Sequence, residues 1–486
     1  GREVCVAAQV EHELPEPLFE AARWCLAERR AELATLVEAL VDADGAAVIA
    51  AVPSAATLPP NEPCRDRAML ERMPTPDADR RDEVLAIATD LARARASRSG
   101  SLAARGEALT AVSARADALQ WPPLRAAAWL ATSRVLRQRN QLTEGERLAE
   151  DAFHEAARFG AWGLAADAAI DLSVAIGASR SLYAEGLSWS RLAETALALA
   201  PGHDDVRDAR RLSMRGRIHE ANAKPKAAQD DLEQAIALTE RAYGAEHPAV
   251  AEPWCRLGIT YRTTANYRKM RELCGHAHEI ARRTLGERHP TTAGHALNLA
   301  VAHHETGDYG PALELYQGAA SVYESEYGPE HLETATAIMN LGIVAKGLGH
   351  YEQARSHYLR VLALREKVLG PDHARVAVTL RYLAELELAV GEVAAAQTHA
   401  ARALAVIEKQ RGSDHPDLTV YLPAVARTRE AAGASADARA LLERMLAITI
   451  RTEDTFGTAL AHTLLGEFLR RQGDRAGARE HQLAAL

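Results

Sequence analysis

The sequence predicts an all-α fold of about ten stacked helix pairs behind an N-terminal helical cap. The first observation is a repeat with a fixed period of 42 residues, which indicates one supersecondary unit stacked on copies of itself. The second is that each period contains two helical segments separated by a glycine turn. The third is the composition, 48% hydrophobic but only 5% aromatic, which suits all-helical packing.

A histidine marks each junction between units, and a glycine precedes it by three residues. The histidines are His247, His289, His331, His373 and His415, and the glycines are Gly244, Gly286, Gly328, Gly370 and Gly412. We expect each glycine to end a helix in the left-handed conformation. Proline follows three of the histidines, at the first position of the next helix. We expect the histidines to cap or pack at that helix start, because copies one repeat apart lie too far apart to share a metal ion.

Within each unit, large and small residues alternate at helical spacing. In the clearest copy the first helix runs from Pro290 to about Glu305 and the second from Tyr309 to about Tyr327, with Gly307 in the turn. A leucine followed by a small residue lies midway along the first helix, as two tightly packed helices require. These pairs are Leu257-Gly258, Leu299-Ala300, Leu341-Gly342 and Leu383-Ala384.

From about Asp205 to Gly412 these features resemble the tetratricopeptide repeat (TPR), specifically the 42-residue variety found in kinesin light chains. The leucine–small pair, the glycine turn, the spacing of Tyr309 and Ala312, and the Gly-x-x-His-Pro junction carry the resemblance. It implies a right-handed superhelical solenoid. It also implies a concave groove, lined by the first helices, that binds proteins or extended peptides.

We divide the chain into four segments. Residues 1–79 form a helical cap and a proline-rich linker, with a long amphipathic helix at about Glu16 to Val41 and a shorter one near Gly45 to Ala51. Residues 80–204 form degenerate TPR-like helix pairs that lack the histidine junction. Residues 205–452 form the regular array. Residues 453–486 form a C-terminal pair whose second helix is shorter than its predecessors.

Charge and hydropathy restrict the classes of partner. The net charge of −9 argues against a general nucleic-acid surface, and no apolar run is long enough to span a membrane. Because the chain begins at Gly1 and not at a methionine, we expect a fragment or a processed form. Its compartment is therefore left open between the cytoplasm and, if the parent has an upstream membrane helix, an extracytoplasmic site.

The five cysteines lack the spacing of a zinc site. Cys255 and Cys274 fall on the two helices of one unit, and we expect them to be small core residues. Cys5, Cys25 and Cys64 lie in the cap. In an oxidising compartment two of them, such as Cys5 and Cys25, could form a disulfide.

The first 70 residues look like the segment that precedes TPR arrays in bacterial Ser/Thr protein kinases of the myxobacterial type. The segments that carry this likeness are Cys5–Ala8, Arg23–Arg30, Leu33–Val41, Ala51–Pro53, and Leu58–Pro60 with Cys64. Such proteins place the kinase domain first, so the resemblance implies a regulatory or substrate-docking arm. Similar arrays end bacterial signalling ATPases, which keeps that parentage open.

No catalytic or cofactor-binding motif occurs in the chain, so we predict neither an enzyme nor a cofactor. Candidate binding residues lie instead on the first helices. Asn298 and Asn340 occupy one position of consecutive units, where Arg256 and Tyr382 stand in the neighbouring units. The resemblance to kinesin-light-chain arrays implies that an asparagine there faces the groove and binds a peptide main chain, and an amide, with both a donor and an acceptor, suits that role. The alternative is that these asparagines serve only local packing.

Six residues further along the first helices, a basic row is expected from Arg262, His304 and Lys346. Together with the residues at the asparagine position, this basic row suggests a groove for a peptide with acidic or aromatic side chains. The alternative is that these basic residues are only solvated. The predicted partner is a protein or peptide ligand. The alternative function is a structural scaffold or self-association module, with no ligand in the groove and with homo-oligomers formed through the edges of the array.

Overall fold

The computed structural model describes residues 15–41, 64–96, 102–139, 141–200 and 202–485. Every regular element in these ranges is a helix, so the all-α prediction is confirmed. None of the described helices combines the length and apolar character needed to cross a membrane. The helix predicted near Gly45 to Ala51 lies outside the described residues.

In the described ranges, ten helix pairs follow a cap made of α1 (Glu16–Val41) and the short α2 (Arg67–Leu70). The pairs are α3 (Arg81–Ala96) with α4 (Leu102–Leu119), α5 (Pro122–Gln138) with α6 (Leu142–Arg158), α7 (Trp162–Gly177) with α8 (Tyr183–Leu199), α9 (Asp205–Ala221) with α10 (Pro225–Tyr243), α11 (Ala251–Thr260) with α12 (Tyr267–Leu285), α13 (Pro290–Glu305) with α14 (Tyr309–Tyr327), α15 (Leu332–Gly347) with α16 (Tyr351–Leu369), α17 (Ala374–Ala389) with α18 (Val393–Arg411), α19 (Leu422–Ala431) with α20 (Ser435–Arg451), and α21 (Thr455–Arg471) with α22 (Arg475–Ala484). Their number and order agree with the pattern read from the sequence.

The chain divides into two compact units. Unit 1 comprises Gly1–Ile218 and Ala227–Pro253, and unit 2 comprises His219–Lys226 and Trp254–Leu486. Alanine dominates the core of α5 to α8 in unit 1. Larger side chains such as Tyr358 and Leu383 fill the core of α15 to α19 in unit 2.

Small residues on the first helices face larger ones on the second helices. A Cβ atom added at Gly342 would lie 2.5 Å from Cε1 of Tyr358, a side chain that is fully buried. One added at Gly258 would lie 2.8 Å from Sγ of Cys274. The small residue after the repeated leucine therefore sets how closely the two helices of a pair approach, as the sequence pattern predicts.

Two first helices begin later than the 42-residue period implies. Pro248–Val250 and Pro416–Val420 form 3₁₀ turns, and α11 and α19 follow them. The reason is a second proline in each case, Pro253 and Pro423, which lies in the first turn of its helix. Because proline has no N–H to donate to the preceding turn, the α-helix cannot extend back to the histidine.

The junction glycines have positive φ, as expected, but not the left-handed helical ψ. Gly286, Gly328, Gly370 and Gly412 have φ between 86° and 90° and ψ between 157° and 165°. The prediction that these glycines adopt the left-handed helical conformation is therefore correct for the sign of φ but wrong for ψ. The chain turns outward here to reach the next histidine, and this region of φ and ψ is open essentially to glycine alone.

Each junction histidine is the N-cap of the helical segment that follows it. Its Nδ1 accepts a hydrogen bond from the backbone N–H two residues further on, at 3.0 to 3.2 Å. The residues are His247, His289, His331, His373 and His415. A protonated imidazole has no free acceptor at Nδ1, so this cap requires the neutral ring.

We expect acid to weaken the cap at His373. Burial, together with Arg375, Arg365 and Arg411, lowers the pKa of His373 below its usual value of 6.5. The unfolded chain therefore takes up the proton first, and stability that is complete above about pH 6.5 is lost as pH falls towards the lowered pKa. The expected loss is about 1 kcal/mol, the usual value of one cap. Urea unfolding at pH 7.5 and pH 5.5 measures it.

His373→Asn is the matched control, because asparagine keeps an N-cap acceptor that does not titrate. The variant should lose less stability than the parent between the two pH values. An identical loss in both proteins would show that His373 does not contribute to the pH dependence.

A buried aromatic residue joins the cap to the first helix pair, and a disulfide lies within the cap itself. Trp24 packs with Val84, Ile87 and Leu91 of α3. The disulfide joins Cys25 to Cys64, whose Cα atoms lie 5.5 Å apart, the separation such a bond requires. The predicted pairing of Cys25 with Cys5 is corrected accordingly, and Cys5 lies outside the described residues.

Cys255 and Cys274 are buried free thiols on α11 and α12, with their Sγ atoms 3.5 Å apart. The hydrogen bond with Cys274 and burial both raise the pKa of Cys255 well above its ordinary value, which disfavours the reactive thiolate. These contacts agree with the expected core role. In the described part of the chain, no group of three His, Cys, Asp or Glu side chains is arranged to hold a metal ion.

Candidate peptide-binding site

The candidate site lies on the first helices of successive pairs in unit 2. Asn298 lies on α13, Asn340 on α15 and Tyr382 on α17, each one residue before the repeated leucine. Lys346 Nζ on α15 lies 3.2 Å from Glu385 Oε2 on α17, so these two helices present one face side by side. We call the surface formed by these five side chains the asparagine face.

The two asparagine amides are only partly used by the protein itself. Both side chains are half-buried. Asn298 Nδ2 donates a hydrogen bond to the carbonyl oxygen of Gly294 at 3.2 Å, one turn back on its own helix. The amide of Asn340 makes no hydrogen bond with any residue that the structure describes. An amide offers both a donor and an acceptor, so this pair can satisfy main-chain groups of a ligand.

Aromatic and cationic groups border the asparagines on α17. Cζ of Arg381 lies 4.2 Å from the centroid of the Tyr382 ring, a cation–π arrangement. The ring of Tyr358 lies 5.9 Å from the same centroid. Burial raises the pKa of Tyr358 far above its usual range, so its hydroxyl stays neutral. That buried hydroxyl has no hydrogen-bond partner within the described ranges.

The structure does not give Arg262, His304 and Lys346 the character of a continuous basic row. Arg262 is exposed, in the turn that follows α11. Burial lowers the pKa of the half-buried His304, so its ring is neutral near pH 7. The charge of Lys346 is opposed by Glu385. The sequence expectation is corrected here, because sequence spacing places side chains on one face but does not reveal burial or a neighbouring counter-ion.

The face changes character towards both ends. Arg256, at the asparagine position on α11, is half-buried and has interactions within the protein. At the C-terminal side, Leu388 stands where the basic residues would continue, as the sequence indicates. The two asparagines therefore form the central part of the face.

The ionic group around Glu385 was not predicted from the sequence. Arg381 contacts Glu385 one helical turn away, and Lys346 reaches the same carboxylate from α15. The signal available was the opposite charge four residues apart, on the side of α17 that also carries Tyr382. The contact from Lys346 depends on the register of two neighbouring helices and needed the structure.

Family models and solved structures identify what the chain is similar to. Models of the tetratricopeptide repeat match residues 209–249 and, in overlapping windows, residues 254–325, 295–367, 337–396 and 375–451. No curated protein sequence matches the chain.

The chain is also similar to solved structures, including the following three. BtubC (BKLC) from P. vanneervenii is 22% identical, with coverage of 48% of this chain and 91% of that chain and a TM-score of 0.37. A kinesin-light-chain candidate from Podosopora anserina with nearly identical TPR-like repeats is 24% identical, with coverage of 43% and 99% and a TM-score of 0.36. The apo quorum sensor NprR from B. thuringiensis is 13% identical, with coverage of 76% and 98% and a TM-score of 0.46.

The family models carry the assignment. The matched windows coincide with the helix pairs from α9 to α20. Residues 209–249 and 254–451 of this chain are therefore tetratricopeptide repeats.

Proposed function

We propose that this chain is a protein-binding module whose asparagine face holds an extended peptide. The observation that carries the proposal is the pair Asn298 and Asn340, 42 residues apart on neighbouring first helices, with amide groups that the protein leaves largely unused. Two such amides can bind the main chain of a ligand and tolerate many side chains. Tyr382 and Arg381 offer an adjoining surface for an aromatic side chain of the peptide.

Binding of a selected peptide should depend on both asparagines. Peptides from a random display library would be selected on the parent chain, and the strongest would be measured by fluorescence anisotropy. We expect Asn298→Ala with Asn340→Ala to weaken binding about 5- to 100-fold, since two hydrogen bonds are lost. Alanine is a good helix former, so the fold should be retained.

Gln353→Ala is the matched control, because Gln353 is an exposed amide on a second helix, α16. Circular dichroism would first establish equal helical content in all variants. A peptide that binds the double variant as tightly as the parent would place the interface elsewhere and refute the role of the asparagine face.

A second candidate function is a scaffold that associates through the C-terminal helix pair. The observation that favours it is exposed apolar side chains there, with Phe456 of α21 66% exposed and Leu483 of α22 62% exposed. Large exposed apolar groups mark interaction surfaces when they cluster. Sedimentation of the parent chain separates the two functions, because a scaffold of this kind forms oligomers without any peptide.

We further propose that the chain is the regulatory or docking arm of a bacterial Ser/Thr kinase. The likeness of its first 70 residues to the segment before the repeats of such kinases supports this, and a signalling ATPase is the alternative parent. Reading the gene upstream of Gly1 tests it. A kinase domain in the same reading frame would support the proposal, and a start codon at this point would refute it.

A further inference from the structure

A second charged surface lies in unit 1, and all of its residues except Arg210 lie outside the windows that the family models match. The first helices α5, α7 and α9 each contribute charged side chains to one shared face, and α3 adds one more. The arginines of this surface are Arg95, Arg134, Arg207 and Arg210, and its central carboxylates are Asp167 and Asp171. We call this surface the arginine face.

Asp171 lies at the bottom of the arginine face. Arg134 Nε lies 2.5 Å from its Oδ2, Arg137 Nη2 lies 3.6 Å from the same oxygen, and Arg210 contacts Oδ1. Asp167 accepts from Arg210 Nη1 at 3.0 Å and from Arg207 Nε at 3.1 Å. The aspartates therefore bind the arginines together across three helices.

The positive groups lie outermost in this arrangement. The side chains of Arg134 and Arg210 are 32% and 37% exposed, whereas that of Asp171 is only 6% exposed. Arg134 uses its Nε for Asp171, and the other N–H groups of its guanidinium remain for a further acceptor. An approaching molecule therefore meets guanidinium groups above the buried Asp171. The carboxylates of Asp167 and Asp204, which pair with Arg207, are 20% and 28% exposed, less than the arginine side chains.

Arg95 adds a charge that no carboxylate neutralises directly. It is exposed and makes no hydrogen bond or ion pair with any described residue. The surrounding protein and the charges of Arg134 and Arg210 lower the pKa of Arg95, and Asp167 and Glu32 offset this in part. An unpaired cation held beside other cations is stabilised when an anion binds there.

We propose that the arginine face binds an oxyanion carried by a peptide, either a phosphorylated or an acidic side chain, with Arg95 and Arg134 as its main contacts. The planar fork of guanidinium donors matches the oxygens of phosphate and carboxylate. Partly enclosed charges interact more strongly than fully solvated ones, which favours binding at this face over the exposed surface. The site lies in unit 1, apart from the asparagine face in unit 2.

The test uses the whole chain and four labelled peptides that share one Gly/Ser framework. One carries two phosphoserines, one two glutamates, one serines only and one two lysines, and binding is followed by fluorescence anisotropy at several salt concentrations. We expect binding of the phosphorylated or the acidic peptide, weakened by salt, and none of the neutral or basic peptide. Binding of the phosphorylated peptide alone would identify phosphate as the ligand, and equal binding of the acidic one would identify carboxylate as sufficient.

Two substitutions should act in opposite directions. Arg95→Ala should weaken binding about tenfold or more, the effect of losing a charged hydrogen bond, and leave the fold intact because Arg95 has no partner. Asp167→Asn should strengthen binding a few-fold, because it removes a competing carboxylate while keeping an acceptor for Arg207 and Arg210. Arg191→Ala, at an exposed arginine on α8, is the control.

The proposal is overturned if the anionic peptides bind no better than the neutral one, or if Arg95→Ala and Arg191→Ala have equal effects. Replacement of Asn298 and Asn340 should leave this binding unchanged. The charged peptides therefore test the arginine face alone, and the peptide selected from the display library tests the asparagine face.

Discussion

Replacing Asp171 by alanine is expected to lower the free energy of unfolding of unit 1 by about 3–5 kcal/mol, the usual effect of removing one partner from a buried ion pair. Asp171 is 6% exposed and bound by Arg134, Arg137 and Arg210. Burial disfavours its charged form, but the attraction of these arginines outweighs burial and lowers the pKa of Asp171. Without this carboxylate, Arg134 and Arg137 lose their ion-pair partner and Arg210 keeps only Asp167, so the three neighbouring guanidinium groups repel one another more strongly.

The measurement is urea unfolding at pH 7, followed by circular dichroism. Asp151→Ala is the control, because Asp151 pairs with Arg147 on the exposed surface of α6 at 2.8 Å, and such a pair contributes about 0.5 kcal/mol. Asp171→Asn keeps the acceptor oxygens in part and should fall between the two. If the unfolding midpoints of Asp171→Ala and Asp151→Ala are equal, the buried carboxylate does not hold the three helices together.

The fold could be predicted because each repeat carries the same residue types at the same positions. The glycine at 307 and its counterparts, the leucine–small pairs and the junction histidines recur in phase, so one clear copy defines the others. The 3₁₀ turns before α11 and α19 were missed, although Pro253 and Pro423 were visible in the sequence. The repeat alone predicts a helix that begins directly after the histidine, and these prolines occur in only two of the units.

The candidate sites could be predicted only in part. The asparagine position follows from the repeat phase, so Asn298 and Asn340 could be placed on one face in advance. The arginine face could not, because Arg95, Arg134 and both aspartates lie in the degenerate pairs, where unequal lengths remove a common phase with Arg207 and Arg210 of the regular array. A contact such as Arg210 with Asp167 joins residues 43 apart and depends on how two first helices are aligned. Sequence spacing also cannot show that a histidine such as His304 is half-buried and neutral.

A close backbone contact between α7 and α8 leads to the second large prediction. Gly177 near the end of α7 faces Gly186 at the start of α8, so here both positions of the pair are small. A Cβ atom added at Gly186 would lie 2.7 Å from the backbone nitrogen of Gly177 and from the carbonyl oxygen of Ser173, and nearer still to Gly177 Cα. All three are backbone atoms, which no change of rotamer can move away.

Gly186→Ala should therefore force α7 and α8 apart and lower the free energy of unfolding by about 3 kcal/mol, even though alanine favours a helix by about 1 kcal/mol over glycine. Gly177→Ala should cost less, because two of its nearest contacts would be the side-chain atoms of Ile218, at 2.9 Å. Gly163→Ala, with only ordinary contacts to the Arg207 side chain from 3.5 Å, should be neutral or stabilising. Urea unfolding of the three variants gives this order. If Gly186→Ala unfolds at the same urea concentration as Gly163→Ala, the two helices tolerate separation and their backbone contact does not set the packing of unit 1.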